Sequence, residues 1–502
     1  MKMRGVAIMG VVVLSLSSCG GGSTGNIPTE ISPAVNATAC IASQFHTPFA
    51  PAYAKTIWPS EKHDQWRTAA AAGGLPSRIH RLRVQSAKLP PVPVWGYVGL
   101  DGNIYVMGGQ PYLLDIYTKL ILGSHASEKK LLAESLAYSE TVTPYVAKID
   151  PTTLATTVLD LPQKRGVNYI GGMLVDSNGF LYAVARAVLY KIDPSSFTIV
   201  ASQRLPLAPD SSGKPNTLTS YNGMQATADG DLILKGFASL GGGPGILLRV
   251  DPADLSIKAK LETTAIAGAR LALATNGGQQ YVYTAGATDS IRFLIGANSF
   301  TNDTAFSRQY LVSGSGSTEG TSEVYMGDGV VFIDNTAPNA TTPITLFSQA
   351  ARDGSTLFSQ AAFTGSAAGW DWEMPAGDPF NTGIAAVQDQ LSGRVSGFRA
   401  CNGGAATAKL WENRTIKDSV GLAIDELNSQ LYADDRNCVS KVCTLALVVL
   451  NLKTGREIAR VKIAGTEPSI GQIFVGPHNA LFHLATDTDR PNGYITRVRA
   501  VP

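Results

Sequence analysis

The sequence predicts an all-β protein, an eight-bladed β-propeller of four-stranded blades, and three observations carry that reading. One phrase recurs: "VAKIDPTTLATTVLDL" (146–161), "LYKIDPSSFTIVASQRL" (189–205) and "LLRVDPADLSIKAKLE" (247–262) each set an Asp-Pro turn between two strands. A second turn, rich in Asp, Asn and Gly, returns at intervals of roughly 45–60 residues, the length of a blade with loop insertions. The last repeat, "GQIFVG", "ALFHLA" and "YITRVRAV" (471–501), holds only three strand-like runs, so one blade needs a strand from elsewhere in the chain.

Taken in order, the 502 residues divide as follows. Residues 20–60 read as a Gly/Ser/Thr/Pro-rich tether, and "SEKHDQWRTAAAAGG" (60–74) as a short helix on the rim of the ring. "SRIHRLRVQSA" (77–87) alternates Ile79, Leu82 and Val84 with cations and is the expected outer strand of the last blade, pairing with 492–501. Such closure couples the two ends of the chain and removes an exposed edge.

The recurrent turns are Asp101–Asn103, Asp176–Gly179, Asp229-Gly230, Asn276–Gly278, Asp328-Gly329, a weak one near Asp389–Gly393, Asp425–Asn428 and Pro477–Asn479. Gly and Asn there supply the left-handed positions of tight hairpins. Pro in the Asp-Pro turns stops the ladder because it has no N–H to donate. The first interval is interrupted by 110–141, whose Leu/Ile spacing and Ala/Glu/Lys content predict a small helical insertion. The propeller itself is expected over 90–502, preceded by an N-terminal segment over 61–89.

Lys2 and Arg4 precede the apolar run "GVAIMGVVVLSL" (5–16), which is too short to span a bilayer, and "LSSC" (16–19) and "GGGSTG" follow it. This order resembles the signal and lipobox of bacterial lipoproteins. The resemblance implies cleavage of a signal peptide 1–18, lipidation of Cys19, and a lipid-anchored protein of the bacterial cell envelope. Gly20 after the cysteine implies the outer membrane in that family. Loss of 1–18 removes Lys2 and Arg4 from the 41 Lys and Arg, leaving them equal to the 39 Asp and Glu. A neutral mature chain has no global field for nucleic acid or an anionic membrane. With Cys19 assigned to lipid, four cysteines remain in an oxidising compartment. Cys438 and Cys443 lie close enough to staple a hairpin, and Cys40 is then free to tie the tail to Cys401. A zinc site is the alternative, although Cys-x4-Cys without a nearby His is poor zinc spacing.

The strand and turn pattern over about 90–500 resembles the broad superfamily of YVTN-type, NHL-type and quinoprotein-like propellers, whose shared motifs are structural. In such rings, the segments entering the innermost strands gather at one mouth of a central channel, where polar groups from several blades converge. Those segments supply Arg165, Asn168, Tyr169, Tyr221, Asn222, Arg270, Glu323, Asp418 and Glu467 as candidate ligand-binding residues. "GWDWEMP" (369–375) adds Trp370, Asp371 and Trp372, aromatics and a carboxylate suited to stacking a sugar or anchoring a partner.

Two functions fit. The first is a binding module whose mouth face takes an envelope protein or a glycan. The second is a metal-assisted hydrolase, lactonase or lyase, with a divalent cation such as calcium held by oxygens of Glu323, Asn168, Asn222 and Asp418. No haem-attachment Cys-x-x-Cys-His, adjacent cysteine pair or repeated tryptophan docking motif of the quinone enzymes occurs, so no haem or pyrroloquinoline quinone motif is present. Gly-x-Ser-x-Gly, His-Glu-x-x-His and Walker motifs are also missing. No basic stripe with interleaved aromatics points to nucleic acid, and the cations of 78–84 read as edge protection.

Overall fold

The computed structural model describes residues 40, 51–109, 143–163, 170–210, 212–217, 219–237, 243–266, 270–286, 288–309, 323–334, 344–365, 375–389, 393–400, 409–417, 419–439, 442–487 and 492–501. These form eight antiparallel sheets, one per blade, over 93–160, 170–204, 220–266, 272–302, 323–361, 376–413, 422–463 and 467–501. The first strands of successive blades touch one another around a complete circle, and blade 8 returns to blade 1. Among the described residues there is no helix.

Closure is by the N-terminal strand. Arg81–Leu89 pairs antiparallel with Gly493–Val501, in register from Arg81 opposite Val501 to Leu89 opposite Gly493. Val84 and Val498 lie opposite each other, and Leu82 and Val84 pack against the core that joins blades 7, 8 and 1.

The repeated Asp-Pro phrase is the turn between third and fourth strands. Asp150 Oδ1 accepts the N–H groups of Thr152 (2.9 Å) and Thr153 (2.6 Å), while Leu154 N–H donates to Asp150 O at 2.9 Å. This geometry requires a left-handed residue four places after the aspartate. Leu154 (φ 64°), Phe197 (φ 51°) and Leu255 (φ 64°) fill it in blades 1–3, and Gly354 and Gly455 in blades 5 and 7. Leu154 and Leu255 are buried, so packing offsets the strain of a leucine there.

These turns and the first-to-second-strand turns share one side of the ring, the turn face. The second-to-third-strand hairpins and the connections between blades lie on the other, the mouth face. Blade 6 departs from expectation: its turn-face hairpin is Asp378–Gly383, where Asp378 caps Asn381 and Thr382, and Asp389–Gly393 belongs to the mouth face.

The expected rim helix over 60–74 is not formed. Its residues, with 53–59, run inside the ring as an irregular plug, so the tether expected to reach residue 60 is packed structure from Ala52 onward. The helical insertion expected over 110–141 lies outside the described residues.

Candidate functional site

The plug meets every blade. Carbonyls of Trp58, Pro59, Gln65, Trp66, Thr68 and Ala69 accept the N–H groups of Val98, Val175, Leu273, Tyr325, Gly377 and Ile424, in blades 1, 2, 4, 5, 6 and 7. The Tyr53 hydroxyl accepts from Ala226 N–H (2.7 Å) and donates to Gln225 (2.5 Å) in blade 3. The Trp58 ring lies 6.4 Å from Phe474 of blade 8. Ala70–Ala71 adds a short parallel strand beside Leu422–Asp425. A helix would spend its backbone bonds internally, whereas the innermost strands offer N–H groups that only an extended, twisting chain can satisfy. Lys62, His63, Arg67 and Ala69 take positive φ to do so.

The plug carries charge into the channel. Glu61 accepts hydrogen bonds from Arg67 Nη2 (2.6 Å) and Arg270 Nη1 (3.1 Å), all three being buried. Arg270 also donates to the carbonyls of Gly171 and Asn222 and lies 4.7 Å from the centre of the Trp95 ring. Gly172 (φ 126°) makes room: a Cβ there would stand 2.9 Å from Glu61 Oε2. Lys235 and Glu323 face the same group. Burial pushes the Glu323 carboxyl up to about 8 against the pull of Arg67 and Lys235, and drives the Lys235 ammonium well below its ordinary value. An acid raised into the neutral range beside a lowered lysine suits proton transfer, and equally a buried structural network.

Of the residues singled out in the sequence, Asn222, Arg270 and Glu323 are brought together in this layer. Tyr221 is not: it is buried in the seam of blades 2 and 3, its hydroxyl donating to Pro206 O (2.6 Å) and its ring covering Gly236. Glu467 stands at the mouth face, accepting from Arg436 Nη2 (3.1 Å). Arg165, Asn168, Tyr169, Trp370, Asp371, Trp372 and Asp418 lie outside the described residues, as do Cys19 and Cys401. Among the described residues, no group of three or more His, Cys, Asp or Glu is set to hold a metal ion.

The sequence reading missed Glu61, Arg67 and Lys235. "EKHDQWR" (61–67) was the available signal, a dense charge run next to a ring that needs its channel filled. A second buried group was also missed. Asp434 accepts from Ser419 Oγ (3.1 Å), Val420 N–H (2.7 Å) and His483 Nε2 (3.2 Å). Its order is wrong for a nucleophilic triad, because the aspartate stands between serine and histidine and the histidine does not meet the hydroxyl.

The Cys438–Cys443 disulfide is formed at the tip of the mouth-face hairpin of blade 7, between strands Gln430–Val439 and Val442–Asn451. Val439 and Val442 beside it are 65% and 70% exposed. Cys40 is disulfide-bonded to a residue outside the described set. Its N–H donates to Pro379 O (2.8 Å) on the turn face of blade 6.

No protein-family model matches the chain, and no curated protein matches it. Solved structures do. The quinohemoprotein alcohol dehydrogenase ADHIIG from Pseudomonas putida HK5 is similar with a TM-score of 0.58 at 10% identity, over 89% of this chain and 80% of that one. The quinohemoprotein alcohol dehydrogenase from Comamonas testosteroni gives 0.57 at 11% identity, over 89% and 81%. The C-terminal WD40 domain of Sif2 gives 0.50 at 10%, over 84% and 98%. At these identities the likeness is one of fold alone, that of a β-propeller.

Proposed function

With the eight-bladed propeller as frame, we propose that the chain is an envelope-anchored lipoprotein that binds a protein or glycan partner at its mouth face. One observation carries this reading: the axis of the ring is occupied by the chain's own residues 53–75, bonded to the innermost strands and paired internally through Glu61, Arg67 and Arg270. A ring plugged in this way offers its outer surfaces, and the stapled tip with Val439 and Val442 projects from the mouth face. Apolar side chains on a hairpin held by a covalent bond lose little entropy on docking.

The test is photocrosslinking in cells from a reactive residue at Val439, with Asp193 on the turn face as the comparison. Adducts from Val439 and none from Asp193 support the reading, and carbohydrate in the adduct assigns a glycan. Equal adducts from both positions, or none from Val439, would sink it.

A second reading, a metal-assisted hydrolase or lyase, draws support from the convergence of Asn222, Arg270 and the raised carboxyl of Glu323. Elemental analysis before and after chelation tests it. A stoichiometric divalent ion, with lactone or ester turnover lost in Glu323→Gln, would favour the enzyme.

A further inference from the structure

The cations of the closing strand do more than guard an edge. Arg83 lies directly opposite Arg499 across the antiparallel pair of Arg81–Leu89 and Gly493–Val501. Arg78, Arg81, Arg83 and Lys88 are exposed, and none of these or Arg499 has an ion-pair partner among the described residues. Opposite Gln85, Arg497 is buried and donates to Pro151 O (2.6 Å) and Gln85 Oε1 (2.5 Å), with Asp150 of the adjoining blade 1 turn as its electrostatic counterweight. Its guanidinium is pushed below its ordinary value, first by burial and then by Arg499 and Arg83, against the pull of Asp150.

Like charges directly opposite across a sheet are destabilising. One or two charges suffice to protect an edge, and Arg499 sits on the third strand, where there is no edge to protect. The next outer strand, Glu457–Ile463, adds exposed Lys462, while its Arg460 is paired with Asp435 and Glu457. The formal charge of the whole chain is only +2, so this is segregation of charge rather than general basicity. Asp193, Asp251 and Asp353 occupy turns of other blades, and Asp150, whose turn meets the seam, is the acid that faces Arg497.

We propose that the arginine seam of blade 8, with the adjoining outer strand of blade 7, docks on anionic phospholipid headgroups. The placement favours a membrane over a free polyanion. The seam ends at the turn face through Arg81 and Val501, and Cys40 is held on that same face at Pro379. The stretch from Cys19 to Cys40 reaches at most roughly 70 Å fully extended. An anchor at Cys19 therefore keeps the seam close to headgroups at high effective concentration. A lipid chain plus a basic surface is the two-signal combination that makes anchoring stable. The inference rests on the envelope reading for the direction of the tether, and it leaves the mouth face pointing away from the bilayer.

The experiment takes the full chain as Cys19→Ser, which carries no lipid, and floats it with phosphatidylcholine vesicles with and without phosphatidylglycerol. Binding only to the phosphatidylglycerol vesicles, lost as salt shortens the range of the field, is expected. Arg83→Glu with Arg499→Glu is expected to cut the bound fraction at least about tenfold, while Lys214→Glu, in the connection between blades 2 and 3 on the mouth face, leaves it unchanged. Single Arg83→Glu replaces a like-charge pair with an opposite one, so its melting temperature should equal or exceed that of the parent, which separates lost docking from lost folding. No binding at low salt overturns the proposal. So does binding untouched by the double variant, or retention on an acidic polysaccharide without vesicle binding. Because the chain is unlipidated and the readout is vesicle flotation, failure here leaves the crosslinking test at Val439 standing.

Discussion

Glu426 lies buried at the turn end of blade 7, and neither of its carboxylate oxygens has a hydrogen-bond partner among the described residues. Burial, with repulsion from Asp378, Asp64 and Asp425, pushes its carboxyl from the ordinary 4.5 up to about 8. Between those values the folded chain holds a proton that the unfolded chain has released, so stability falls as pH rises through that window and levels off above it. Glu323 acts in the same direction. Glu426→Gln is therefore expected to leave the melting temperature at pH 5 nearly unchanged and to gain about 2 kcal/mol at pH 8.5. Denaturant titration at the two pH values checks this, and equal effects at both would refute it. Arg67→Ala tests the buried layer. It strips Glu61 of its 2.6 Å partner, and a loss of about 3 kcal/mol or more in chemical unfolding is expected. Glu323, Asn222 and Arg270 were readable as channel residues because they stand where innermost strands begin. Their plug partners were not, since nothing in "EKHDQWR" says which strands it will meet.

At the scale of elements, the turns were the most legible part. Asp, Asn, Gly and Asp-Pro have backbone preferences that act within a few residues, so Asp150, Asp193 and Asp251 marked their turns without tertiary help. Blade 6 was misread because its turn "DPFNTG" (378–383) does not repeat the phrase of its neighbours, while Asp389–Gly393 imitates it on the opposite face. The closing strand was legible from alternation and from the missing strand of the last blade. Val84→Pro would remove a backbone donor in the middle of Arg81–Leu89, and edge and closure are lost together. The expected result is a destabilisation of about 3 kcal/mol, with hydrogen exchange rising first in 81–89 and 493–501. Exchange confined to 81–89, with 493–501 still protected, would show that the strand is dispensable for closure.

At the scale of the molecule, the ring and the plug form one topological unit. Cys40 sits at Pro379 and packs against a cluster that includes Ala400, and Ala400 N–H donates to Gly383 O (2.9 Å) in the same turn. Cys40 and Ala400, the residue preceding Cys401, thus meet the same turn and cluster, and a non-reduced peptide map is expected to contain a Cys40–Cys401 linkage. A linkage of Cys40 to Cys19 instead would exclude lipidation of Cys19 and remove the anchor from the account. By itself the sequence determined the number of blades, the positions of most turns and the strand that closes the ring, because each depends on local preference or on a repeat compared with itself. Only the tertiary structure decided that 53–75 fills the axis, that Tyr221 belongs to a seam while Arg270 belongs to the channel, and that a net charge of only +2 conceals an arginine seam. Those outcomes depend on which distant backbone N–H groups need partners and which side chains are carried opposite one another, and neither is written in any short stretch of the chain.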